Sequence, residues 1–205
     1  MSPAALIRTL GPFFFEMRYF TYELIAAAND WIAQSKTAHR NAEKRLESVF
    51  KKYLRQLEPL ERRISRSAWQ FLRYGFGSKS LHDGRLLSLK VGDGLTYTPN
   101  GSSPFFLNRQ HTAAIIEFLN YEQDLHYVFD FRGVSRFSGD LFVEKESYAK
   151  SLGDLYIYEL TDAGKDRLRL GFLFASGGSI VVEFQRLVFR KKRIRRQYPV
   201  GNMYQ

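Results

Sequence analysis

The sequence predicts an α+β protein in which an N-terminal helical arm or small bundle precedes an antiparallel β-sheet with one or two covering helices. Three observations predict it. Up to about Tyr74 the apolar side chains recur at spacings of three and four, the period of an amphipathic helix. Beyond Leu86 they alternate with polar residues or gather in short apolar–aromatic runs, as strands require. Brief Gly-containing segments separate the last three of those runs, as expected of a meander. The change of period divides the chain into a helical basic arm over 1–80 and a sheet domain with a basic tail over 81–205.

The first helix is expected over about 16–33, entered after Gly11-Pro12, with Tyr19, Tyr22, Ile25 and Ala26 on one face. A second helix, over about 38–57, carries Ala42, Leu46, Val49, Tyr53 and Leu57 as its stripe, widened by Phe50 and Leu54. Pro59 marks a break, and a third helix runs over about 60–74 with Leu60, Ile64, Ala68, Phe71 and Leu72 inward. Its other face carries Arg62, Arg63, Arg66 and Arg73. From Leu87 a strand alternates to Val91, and Gly92-Asp93-Gly94 reads as a hairpin turn into Leu95–Tyr97. The 99–104 segment PNGSSP reads as a loop. Residues 108–125 read as a helix with Ala114, Ile115, Phe118 and Leu119 buried, a candidate cover for the sheet. Strands are expected over 127–131, at 140–143, and over 155–160, 168–174 and 180–189.

Composition narrows the chemistry. No cysteine occurs, which excludes disulfides, thiolate metal sites and a cysteine nucleophile and suits a reducing, cytoplasmic setting. Met1–Leu10 has no secretory-signal pattern. The apolar 10–33 stretch contains Glu16, Arg18, Glu23 and Asp30, so no transmembrane segment is expected. Of the four histidines, His39, His82, His111 and His126, none has metal-ligand spacing with another. No metal site and no cofactor are expected. The net charge of +10 is uneven: residues 1–80 hold 14 basic and 7 acidic side chains, residues 81–189 hold 11 and 14, and RKKRIRR at 190–196 adds six cations. Two basic regions bracketing a mildly acidic middle point to a polyanionic partner, since clustered cations release counterions from phosphate backbones. The nucleic-acid-binding candidates are Arg62, Arg63, Arg66 and Arg73 on the third helix, and Arg190, Lys191, Lys192, Arg193, Arg195 and Arg196 in the tail. RNA cleavage without metal needs a base and cations near phosphorus, and Lys, Arg and Tyr abound near the end of the chain.

Residues 153–198 carry a Gly-leader strand (Gly153-Asp154-Leu155-Tyr156-Ile157-Tyr158), a strand bearing Arg169 within Arg167–Phe172, an apolar strand Ile180–Phe184 and a basic segment Phe189–Arg193, with Tyr198 beyond it. In this order they resemble the end of the RelE- and HigB-type toxins of toxin–antitoxin systems. The resemblance implies ribosome binding, metal-independent cleavage of messenger RNA and an antitoxin partner. It implies phosphate stabilisation by Arg169 and by Lys191, Lys192 and Arg193, and an acid or base role for Tyr198.

Two functional readings follow. In the first, the chain binds RNA or the ribosome, with endoribonuclease activity of the toxin type. In the second, it is a non-catalytic nucleic-acid-binding or assembly protein, of the kind found in phage particles and nucleoproteins, using the same cations. An acidic protein is the other partner that such surfaces would take.

Overall fold

A computed structural model describes residues 17–29, 35–74, 81–92, 112–140 and 154–194. The fold is α+β, with helices first and two antiparallel sheets after them. Helix α1 spans Tyr22–Asn29. Helix α2 spans Lys36–Leu57, as its apolar stripe predicts, and its start is capped by Ser35, whose side chain accepts the Ala38 N–H. The expected third helix is two elements. Pro59 opens a 3-10 segment over Glu58–Arg63, the chain extends at Ile64, and α3 starts afresh over Arg66–Tyr74. Ser65 makes the restart: its hydroxyl accepts the Ala68 N–H, an end-of-helix interaction that competes with a continuous helix.

The strands are β1 (Arg85–Gly92), β2 (Ala113–Leu119), β3 (Leu125–Arg132), β4 (Arg136–Asp140), β5 (Leu155–Gly164), β6 (Arg167–Phe174), β7 (Ser179–Phe184) and β8 (Arg186–Arg193). Their order is β1-β2-β3-β8 in the first sheet and β4-β7-β6-β5 in the second. Two chain corners carry the ribbon from one sheet into the other. One lies between β3 and β4 at Gly133, which adopts a φ of +62° and leaves no room for a Cβ beside the Gln185 side chain. The other is Gln185 itself, between β7 and β8. At the opposite flank the start of β1 meets the start of β5, where Asp83 N–H donates to Leu155 O and Leu155 N–H to Gly84 O, both at 2.9 Å. Joined at both flanks, the sheets face each other across one core, with Phe118 against Phe172 at 5.0 Å between ring centres and Phe131 against Phe184 at 4.9 Å.

The helix expected over 108–125 is not formed where the structure describes it. Residues 113–119 are β2, with Ala114, Ile116 and Phe118 buried and their neighbours half-buried. Asn120 makes the turn that follows: its side-chain carbonyl accepts the N–H groups of Asp124 and Leu125, and its amide donates to Asp124. Paired between β1 and β3, the β-branched Ile115 and Ile116 take the extended state that the pleated surface favours. The meander of β5, β6 and β7 stands as expected, whereas the run read as one strand over 180–189 bends at Gln185 into two. The hairpin after Gly92 lies outside the described residues, as do the PNGSSP loop and all of the strand expected at 140–143 beyond Asp140, which ends β4.

The helices pack on the sheets through the end of α2 and through α3. Tyr53 on α2 is fully buried, and its hydroxyl accepts the Leu160 N–H from the edge strand β5 at 3.0 Å. Edge strands need such covering. Burial holds the phenol protonated, its pKa well above the ordinary value, and outweighs the Leu160 N–H, which lowers it. Phe71 of α3 packs against four rings, Tyr127, Phe129, Tyr158 and Phe189, and so ties the helices to both sheets. Arg63 reaches the β5–β6 hairpin, donating to Asp162 and to the Arg167 carbonyl at 2.9 Å each.

The segment before α1 is fastened by one buried carboxylate. Glu159 accepts the backbone N–H groups of Arg18, Tyr19 and Phe20, while Met17 lies over Gly171, where a Cβ would collide with its sulfur. Burial raises the Glu159 carboxyl pKa, outweighing the three N–H donors and Arg169, which lower it. A carboxyl whose pKa is higher in the folded than in the unfolded chain contributes stability below its unfolded value and loses that contribution as pH rises through its folded value. The stability difference between the native chain and Glu159→Gln, read by urea unfolding, should therefore shrink as pH rises from 4.5 and then level off once the carboxyl has ionised. A difference that grows over that interval would contradict this placement of the charge.

Candidate nucleic-acid interface

The basic run after Phe189 is not a loose tail at its start. Arg190 to Arg193 complete β8, paired along their whole length with β3. Side chains alternate across a strand, so the run divides. Lys191 falls on the side of Leu187 and Phe189, its ammonium 5.7 Å from the centre of the Tyr127 ring, a cation–π contact. Burial pushes the Tyr127 phenol up to about 12. Arg190 and Lys192 fall on the opposite, outer side of the first sheet.

Directly opposed residues in antiparallel strands share a face. The pairings therefore place Lys192, His126 and Leu119 in one outer row, and Arg190, Val128, Glu117 and Ser88 in the next. Val188, Asp130, Ile115 and Lys90 follow, then Arg186, Arg132 and Ala113. The outer face thus carries Lys90, Arg132, Arg186, Arg190 and Lys192, with Arg85 opposite Leu119 at the edge of the Lys192 row, against the acids Glu117 and Asp130. Asp130 is only 4% exposed at its side chain and is paired by its outer-face neighbours: Arg132 lies 2.7 Å from it and Arg190 3.8 Å. Glu117 faces His126 at 2.9 Å. The arginines that hold Asp130 are themselves 45% and 61% exposed, so they keep donors for an outside anion.

At one end of this face the β2–β3 turn stands next to the end of β8, where Ile194 N–H donates to Asp124 O. Tyr121 in that turn is 72% exposed. Arg193 lies 3.9 Å from Asp124 and is largely in solvent, where such a pair contributes little.

The other candidates are placed as follows. Arg62 and Arg66 are exposed. Arg63 is committed to Asp162 and Arg167. Arg73 lies over the Trp69 ring at 5.6 Å and 3.9 Å from Glu58. Since α3 packs on β8 through Phe71 and Phe189, the two basic regions that the sequence separates by more than a hundred residues become neighbours. Arg169 stands apart, on β6 of the second sheet, where its Nε and terminal nitrogen both donate to Glu183. Arg195, Arg196 and Tyr198 lie outside the described residues. Reading 108–125 as a helix concealed the Glu117–His126 pair, because only a strand and a tight turn bring positions nine apart onto one face. Asn120 before Asp124, a turn signature, was the available signal.

Fold and face define a geometric class: two facing antiparallel sheets with helices packed on them and a cationic outer face on the first sheet. The chain matches no family model, no curated protein and no solved structure. Among the described residues no helix is long and apolar enough to cross a membrane.

Proposed function

We propose that this chain binds RNA, free or within the ribosome, across the outer face of its first sheet, with the phosphate backbone along β8 and a base stacked on Tyr121. The observation that carries this reading is the strand geometry of β8, which fixes Arg190 and Lys192 on one face beside Arg132 and Arg186. Cations on alternate positions of a strand stand about 6.8 Å apart, an extended ladder suited to one strand of phosphates. Exposed aromatic side chains beside such a ladder are stacking platforms for unpaired bases. The exposed Arg62 and Arg66, on the helical layer that packs against β8, extend the positive field.

The test is fluorescence anisotropy with a labelled single-stranded RNA over a range of salt. The logarithm of the affinity should fall linearly with the logarithm of salt, and Tyr121→Ala should weaken binding by about 1–3 kcal/mol with the salt slope unchanged. Salt-independent binding, or none, would end this reading. The non-catalytic binding or assembly alternative uses the same face. Cleavage of the bound RNA separates the two. An acidic partner such as an antitoxin would compete for the same cations and would not depend on Tyr121.

A further inference from the structure

We propose that Glu117 and His126 form the proton-transfer pair of an RNA-cleaving site on the outer face of the first sheet, an assignment that rests on RNA binding there. The pair is built by the fold. Glu117 is in the middle of β2, His126 near the start of β3, and the Asn120 turn sets them diagonally across the ladder with Oε2 and Nε2 2.9 Å apart. Each side chain is 24% exposed, shielded yet reachable. Lys192 is the residue directly across from His126, and Arg190 is across from Val128 in the row of Glu117. A base held by a carboxylate and flanked by two cations is the arrangement that transesterification of a phosphodiester calls for.

The chemistry closes without a redox partner. With Nε2–H donated to Glu117, the His126 imidazole presents Nδ1 as the acceptor. Nδ1 takes the proton of a ribose 2′-hydroxyl, the 2′-oxygen bonds to the adjacent phosphorus, and the bond from phosphorus to the 5′-oxygen breaks. Water supplies the proton to the departing 5′-oxygen. The products are a 2′,3′-cyclic phosphate and a 5′-hydroxyl end. Glu117 orients the ring and balances the imidazolium, while Lys192 and Arg190 face the charge that grows on the phosphoryl oxygens. The substrate is therefore RNA and not DNA, because the nucleophile belongs to the substrate.

The experiment incubates the full chain with end-labelled single-stranded RNA in chelator and measures anisotropy on the same samples. The native chain should release cyclic-phosphate ends, and an all-2′-deoxy oligonucleotide should bind but stay intact. His126→Ala and His126→Gln should each slow cleavage by about 100-fold or more at RNA concentrations where anisotropy shows the variant saturated; Glu117→Gln should slow it less. RNA that is bound but never cut by the native chain would overturn the proposal and leave the binding reading standing. Cleavage that persists in both His126 variants, and is lost instead in Arg169→Ala or Tyr198→Phe, would overturn it in favour of the residues implied by the toxin resemblance. Absence of RNA binding would overturn both readings together.

Discussion

Replacing Phe71 by Ala is expected to cost about 3–5 kcal/mol of folding stability, read by urea unfolding with an unchanged dependence on denaturant. Phe71 is the place where three layers meet. Its ring lies 4.7 Å from Phe189 and 5.2 Å from Tyr158, both stacked, and 5.3 Å and 5.7 Å from Tyr127 and Phe129. Removing it opens a void lined by four aromatic side chains that strand pairing holds in place, so the space cannot collapse, and stiffly lined voids give the costs at the upper end. Leu or Met at the same position, closer in volume, should recover most of the loss. The same substitution loosens α3 from β8, so the variant should also show faster amide exchange in residues 66–74 than in β2. A loss below about 1 kcal/mol would mean that the helices are held chiefly elsewhere.

The largest effect on binding is expected from Arg190→Gln combined with Lys192→Glu. Glutamine is the better choice at 190, because a carboxylate there would face the buried Asp130, 3.8 Å from the Arg190 guanidinium, and confuse folding with binding. Removing two phosphate contacts from a single-stranded complex lowers the salt slope by about 1.4. Affinity should fall on the order of 100-fold in dilute buffer, with the difference narrowing as salt rises. Replacing Arg62 and Arg66 should give a smaller loss, since they belong to the neighbouring helical layer. Arg63→Ala should act on stability instead, because it releases Asp162 and the Arg167 carbonyl. An unchanged slope in the double variant would show that the cations of β8 do not meet phosphate.

What could be read from the sequence follows the strength of local signals. The stripe of α2, from Ala42 to Leu57, predicted that helix to within two residues at its start, and the apolar runs between Leu155 and Phe184 predicted the meander. Residues 113–119 were misread because Ala114, Ile115, Phe118 and Leu119 fit a helical stripe as well as a strand. Pairing with β1 and β3 decides the matter, and those partners lie far away in the sequence. The same nonlocality hid the candidate site. Glu117 and His126 have no motif spacing, and the division of RKKR between two faces follows only once β8 is known to be a strand. The cover over the sheet is likewise a second sheet and helices α2 and α3, not residues 108–125. Among the described residues, many of the aromatic side chains serve the core, where Phe118, Phe129, Phe131, Phe172, Phe174 and Phe184 are fully buried. Among the described residues Tyr121 differs, its side chain being largely in solvent.

The most direct measurement is titration of the isotope-labelled chain with a short single-stranded RNA, followed by amide and side-chain resonances. Binding across the outer sheet predicts shifts concentrated in 121–132 and 186–193, with the His126 ring and the Lys192 ammonium moving early and β5 and β6 still. Shifts confined to the β5–β6 hairpin around Arg169, or scattered evenly over surface lysines, would contradict it.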